Sequence, residues 1–325
     1  MTSTQAPDGT AVAAELGGHR SRRRPFSWSR VFRAAVPYLL LLPVALVIAA
    51  VLGYPLYKLV TLSFQQYGLP ELIQKQGTWI GLDNYESVLR DEVFWDTLLR
   101  TVIFTAANVG LTMVLGTLIG LLLASVSPWV RVLLSTGLVL VWAMPAVVAV
   151  QVFYWMTNFE SGVLNYVFAQ LGLTGEQHDW YATSFSQLAM VTVLIVWGAI
   201  PFVAITVYAG LAQVPRELVE AAEIDGAGPL RVFRDVTFPI LKPILFILTS
   251  LSIIWDFAVF TQPYLLIGPE RLDQTNYLMG VYVFLEGYSK SDYGRGAAIS
   301  LLMVLIVATL SVFYVRRMVR TEGTA

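Results

Sequence analysis

Cysteine is absent from the 325 residues, which removes disulfides, thiolate nucleophiles and Cys-ligated metals together. Histidine is almost absent. His19 and His178 stand alone, with no second His at metal-ligand spacing, so each reads as an ordinary solvated residue. Charged residues make up only 13% of the chain and sum to a net charge of −1, so bulk charge points to no nucleic acid partner. No Gly-Lys pair occurs, which excludes a G-x-x-x-x-G-K-[ST] loop and ATP binding by that means. No cluster of His, Asp and Glu and no Ser nucleophile stands near one membrane face, so an enzyme has no support.

What is abundant is apolar. Hydrophobic residues reach 56%, too many to hide in one water-soluble core, so a bilayer must be part of the solvent. A hydrocarbon core about 30 Å thick needs about 20 apolar residues, and stretches at roughly 36–60, 97–125, 131–157, 187–211, 243–266 and 296–315 meet or approach this. The sequence thus predicts an all-α integral membrane protein with six transmembrane helices. Pro43, Pro145 and Pro201 lie within these stretches, and kinks rather than breaks are expected, since neighbouring helices can satisfy the freed backbone groups.

Basic residues set the orientation. Arg20, Arg22, Arg23, Arg24, Arg30 and Arg33 precede the first span, Arg131 follows the second, Arg216, Arg231, Arg234 and Lys242 lie between the fourth and fifth, and Arg316, Arg317 and Arg320 follow the sixth. These regions alternate correctly to share the cytoplasmic side with both termini, and the 158–186 loop, without Lys or Arg, falls outside. Residues 1–35 read as a disordered basic cytoplasmic tail, 36–60 as the first transmembrane helix, 61–96 as an external loop, and 319–325 as a short cytoplasmic tail. A cleavable signal peptide is disfavoured, because the first apolar run is too long and starts too far from Met1.

Residues 212–242 are rich in order signals. Pro215 and Glu217 suit the first turn of a helix that carries Leu218, Ala221 and Ala222 on one face. Gly226 suits the left-handed residue that ends it, and Pro229 can start a second helix before Pro239 and Pro243 lead into span five. Glu217, Glu220 and Glu223 form an acidic row. A solvated amphipathic loop whose acids balance Arg216, Arg231 and Arg234 fits this pattern as well.

The run Glu220-Ala221-Ala222, Gly226 and Val236-Thr237-Phe238-Pro239 resembles the EAA loop of ABC importer permeases, with Val236 and Phe238 departing conservatively from that family's closing element. The wider context through Asp225 and Ala227, with Phe233, is similar to the carbohydrate-uptake branch. Gly53-Tyr54-Pro55, Leu62-Ser63-Phe64 and Gly81-Leu82-Asp83-Asn84-Tyr85 resemble the maltose-permease-F-like member of a heterodimeric pair, and the likeness extends over roughly 36–318. The resemblance implies a type I importer permease fold with a five-helix core over 97–318 and a coupling loop at 212–242. It assigns contact with a cytoplasmic ATPase dimer to Glu220, Ala221, Ala222, Asp225 and Gly226. It also implies a second permease subunit, an extracytoplasmic binding protein, ATP and Mg on the ATPase rather than on this chain, and a bacterial plasma membrane.

Sugar transport requires polar and aromatic groups near the bilayer midplane. Span five offers Trp255, Asp256, Phe257, Phe260, Gln262 and Tyr264, and span three offers Trp142, Tyr154, Trp155 and Asn158. Asp256 lies about 20 Å along a helix from Pro243, inside the hydrocarbon, where a carboxylate is costly and contacts cargo, a gate or a structural partner. Gly116 and Gly120 form a close-packing pair in span two. An importer of glycerol phosphate or another non-sugar solute, and an ion-coupled secondary transporter, are the alternatives. The latter calls for several paired intramembrane acids and inverted repeats, whereas Asp256 is the clear intramembrane acid and no repeat is evident. Because a β-branched residue is strained by about 1–2 kcal/mol in the left-handed region, Gly226→Val is expected to abolish transport while membrane insertion persists, as measured by uptake and membrane fractionation.

Overall fold

The computed structural model describes residues 28–173 and 177–322. Residues 1–27 of the expected tail, with His19, and residues 323–325 lie outside it. The chain divides into two units, 1–56 and 57–325.

In the first unit, α1 (Trp28–Ile48) passes through a π-helical turn (Ala49–Gly53) into α2 (Tyr54–Ser63), whose later residues open the second unit. Large apolar side chains from Val36 to Leu56 are exposed around the whole helix, which suits a helix whose solvent is lipid. Leu40–Ser63 is long and apolar enough to cross a bilayer. Residues 28–35, expected as part of the tail, are helical.

The second unit begins with a small antiparallel ribbon of β1 (Gln65–Gln66) and β2 (Thr78–Trp79), with α3 (Leu69–Gln74) between them. Then come α4 (Asp83–Leu89), α5 (Glu92–Ser125), α6 (Pro128–Trp142), α7 (Ala146–Met156), α8 (Val163–Gln170) and α9 (Ser184–Leu211). The Asp91 carboxylate accepts from the Val93 N–H at 3.0 Å and starts α5. Two short helices, α10 (Arg216–Ile224) and α11 (Pro229–Val232), and a π-helical turn (Phe233–Thr237) lead into α12 (Phe238–Phe257). After a turn come α13 (Thr261–Ile267), α14 (Met279–Phe284), a third π-helical turn (Leu285–Ser289) and α15 (Tyr293–Glu322). Residues 319–322, expected in a tail, therefore continue the last helix.

Among the described residues, five helices are long and apolar enough to span a membrane, and six spans result if the bent pair α6 and α7 counts as one. The prolines behave differently from one another. Pro43 and Pro201 lie inside continuous helices, as expected. Pro145 does not merely kink its span: α6 and α7 meet at 98° around residues 143–145. The pyrrolidine ring disfavours helical backbone at Met144, and Pro145 offers no N–H to continue the ladder. Span five also departs from a continuous helix over 243–266, because α12 starts earlier and ends at Phe257.

The frame is the long pairing of α5 with α9. A stripe on α5, Thr97, Thr101, Thr105, Asn108, Thr112, Gly116 and Gly120, is buried at helical spacing. A Cβ added at Gly116 would lie 2.6 Å from the Val203 side chain, and one at Gly120 would lie 2.9 Å from the Ala204 carbonyl oxygen. These glycines let the two backbones touch. At the outer end, Arg295 bonds Asp91, donates to the Ser87 hydroxyl at 3.1 Å, and lies 3.2 Å from Glu286, which ties α15 to α4, α5 and the third π-helical turn. Gly116→Leu is expected to destabilise the protein by about 1–3 kcal/mol through overpacking. The control Gly137→Ala, at a position with nothing within 4 Å of an added Cβ, should leave the detergent-solubilised melting curve unchanged.

Candidate translocation cavity and coupling loop

The breaks in spans three and five face a common cavity of about 440 Å³. The end of α6 and the turn after it supply Trp142 and Met144, the middle of α9 supplies Trp197, Gly198 and Phe202, and the end of α12, the turn after it and the start of α13 supply Ser252, Trp255, Asp256, Phe260 and Gln262. Phe202 links the two sides. Its ring stacks on Trp142 at 6.2 Å and tilts against Trp255 at 5.7 Å. Such π-faces can cover the C–H face of a sugar ring. Asp256 is 7% exposed, and among the described residues no hydrogen bond or ion pair reaches its carboxylate. A buried carboxylate without a partner is costly, and this one borders the cavity, where a solute carrying O–H or N–H donors can satisfy it.

The expected pathway residues separate into groups. Trp255, Asp256, Phe260 and Gln262 line the cavity. Phe257 points elsewhere and is 1% exposed in a core cluster with Val88, Phe94, Met279, Tyr282 and Ile299. Tyr264 stacks on Phe260 at 5.0 Å and meets Phe284 at 5.1 Å, behind the lining. Trp155 is exposed on α7. Asn158 borders a separate outer cavity with Tyr154, and its side-chain oxygen accepts from the Glu160 and Ser161 N–H groups. Residue-by-residue reading missed Ser252, Trp197 and Phe202. Ser252 shares a helix stripe with Trp255 and Asp256 at i+3 and i+4, a signal that was available. Span four carries no charge to orient it, so Trp197 and Phe202 left no such trace. His178 packs edge-on against Trp180 at 4.7 Å.

The loop between α9 and α12 folds as two short helices. Pro215 precedes α10, and Gly226 ends it with φ of +81°, the backbone conformation that favours glycine. The Gly226 N–H donates to Glu223 and the Ala227 N–H to Ala222. Glu220, Ala221, Asp225 and Gly226 are exposed and Ala222 is half-buried. Three apolar side chains beside them also face out, Leu218, Ile224 and Leu230, the latter two more than 80% exposed. A cavity of about 630 Å³ bordered by Glu220 and Glu223 separates α10 from Arg131 and Tyr208. Arg131 donates to the carbonyls of Leu123 at 2.7 Å and Val126 at 3.0 Å, and its guanidinium lies 5.2 Å from the centre of the Tyr208 ring. It thus closes the carboxyl end of α5 and holds it to α9.

Comparison with known proteins agrees with this arrangement. Residues 116–320 match the family described as binding-protein-dependent transport system inner membrane component. The diacetylchitobiose uptake system permease of Streptomyces coelicolor is 46% identical over 89% of this chain and 88% of its own length. The sulfoquinovosyl glycerol transport system permease of Agrobacterium fabrum is 31% identical over 87% of this chain and 90% of its own. The crystal structure of a bacterial ABC transporter that imports alginate contains a chain with TM-score 0.78 and 18% identity, covering 90% of this chain and 98% of that one, which shows the same fold. The chain belongs to the binding-protein-dependent transport system inner membrane component family, and it is a multi-pass permease subunit of an ABC importer in the plasma membrane, whose ATP is hydrolysed by a separate subunit.

Proposed function

We propose that this permease forms half of the pathway for a sugar delivered by an extracytoplasmic binding protein, alongside a second permease subunit and above a cytoplasmic ATPase dimer. The observation that carries the cargo class is the cavity at the broken spans, where Trp142, Phe202 and Trp255 offer ring faces and the partnerless Asp256 offers an acceptor. A sugar entering the bilayer must exchange its water for ring stacking and hydrogen bonds, and this lining provides both. The relatives named for diacetylchitobiose and sulfoquinovosyl glycerol support a glycoside, and diacetylchitobiose is the first cargo to test.

The ATPase would seat on α10. Its exposed Ala221 and Gly226 permit close approach, Leu218, Ile224 and Leu230 offer apolar contact, and Glu220 and Asp225 offer acceptors. Movement of α10 would reach the cavity through α11, the Phe233–Thr237 turn and α12, which form a short path to Ser252 and Asp256.

The test is uptake of a labelled sugar panel by the chain co-purified with its co-encoded subunits in proteoliposomes. Hydrogen bonds to charged groups contribute about 1.5–3 kcal/mol, so Asp256→Ala is expected to lower sugar uptake about 10–100-fold, with subunit assembly and basal ATP hydrolysis retained. Uptake of a non-sugar solute alone, or full sugar uptake by Asp256→Ala, would overturn this reading.

A further inference from the structure

A groove of about 730 Å³ lies on the face of α5 turned away from α9, apart from the cavity at Asp256. Helix α5 supplies Val114, Leu118 and Leu121, α12 supplies Leu245 and Phe246, and α15 supplies Tyr314. Val114 and Leu118 are 59% and 56% exposed, and at 100° per residue they point opposite to Gly116 and Gly120, which meet α9. The walls are mostly apolar. The Thr249 hydroxyl is satisfied within its own helix, donating to the Leu245 carbonyl at 2.7 Å, and the Phe246 and Tyr314 rings meet at 5.1 Å to join α12 to α15.

Charge stands at one end. Lys242 is the charged residue of the lining, and among the described residues its ammonium pairs with no carboxylate. Asp235, the acid nearest to it in sequence, is held by Arg234 at 2.7 Å and lies 3.8 Å from Arg231. The Lys242 Nζ lies 5.8 Å from the centre of the Phe246 ring, which keeps the cation over the groove while its stem runs along apolar surface. Leu230 and Phe233 border the same space, so the charged end is the coupling-loop end, on the side where basic residues gather.

The groove has the length of one leaflet. From Lys242 to Thr249 on α12, and from Leu121 to Met113 on α5, the lining extends about 10–12 Å at 1.5 Å per residue. Half of the hydrocarbon core is about 15 Å. A partner's spanning helix needs a seat through both leaflets, whereas an acyl chain whose headgroup stays at the cytoplasmic surface needs a seat in one. A basic site between spans at that surface also attracts anionic headgroups. We propose that this groove binds one anionic phospholipid of the cytoplasmic leaflet, its phosphate on Lys242 and one acyl chain along α5, α12 and α15. The lipid rests against Leu230 and Phe233 and so supports the segment between α10 and α12. It is independent of the cargo.

The test uses the complete transporter in nanodiscs of phosphatidylcholine with a small share of phosphatidylglycerol. This chain has no cysteine, so a fluorophore on Leu122→Cys, one turn from Leu118, reports on the groove in a complex otherwise free of reactive cysteine. Bromine on the acyl chains of either lipid quenches it on contact. Brominated phosphatidylglycerol is expected to quench at about 5-fold lower mole fraction than brominated phosphatidylcholine, the preference one lysine confers beside anionic lipid. Lys242→Arg should keep that preference and Lys242→Gln should abolish it. Leu118→Trp, at an exposed position that folding tolerates, fills the groove with the charge intact and should abolish it too. Equal quenching by the two lipids in the wild type would mean ordinary bilayer contact and overturn the site. Quenching by neither would mean that a second permease helix covers the groove, and a preference surviving Lys242→Gln or Leu118→Trp would put the anion elsewhere; each overturns it as well.

Discussion

In hydrocarbon a peptide N–H or C=O has no water to bond, so a spanning chain must keep its backbone ladder closed or hide the opening inside protein. The rest of this structure depends on that constraint. Spans two, four and six run unbroken, as α5, α9 and α15, whereas spans three and five open at 143–145 and at 258–260. Both openings border one cavity. The irregular backbone at these two openings therefore surrounds the place where a polar solute is best accommodated.

Helices α5 and α9 make that arrangement mechanically stable. Gly116 and Gly120 bring their backbones together, and the Thr and Asn side chains above them continue the same buried stripe. Arg131 holds the inner ends of the pair, while Asp91 and Arg295 anchor the outer end of α5 to α15. Against this frame, α12 is the element that connects the α10–α11 loop to Asp256. An exposed, lightly packed α10 beside a wide cavity is suited to take a partner and move with it, whereas the interdigitated α5–α9 seam resists continuous deformation.

Membrane insertion, span number, the sidedness implied by Arg and Lys, the two-helix loop and the φ of Gly226 were legible in the amino-acid order, because each follows from local hydropathy, charge or turn chemistry. The family was legible too, through the spacing from Glu220 to Pro239. Within the cavity, Trp255, Asp256, Phe260 and Gln262 were found from span five alone. Phe257 was misplaced: rotating one residue further round α12 carries its ring from the cavity to the core of Phe94 and Tyr282. Trp155 and Tyr264 lie outside that cavity's lining for the same reason, since a uniformly apolar helix contains no record of which face meets protein.

The sequence by itself determined that this chain lives in a bilayer, that residues 212–242 carry two short helices, and that Asp256 is an exceptional residue, since hydrocarbon thickness, charge and backbone chirality act on short segments. Only the tertiary structure decided that Pro145 bends span three through 98°, that α12 stops at Phe257, and that Trp142, Phe202 and Ser252 join Asp256 around one space. Those outcomes depend on helix rotation and on which helix packs where, and they are set by close-packing between residues far apart in the chain.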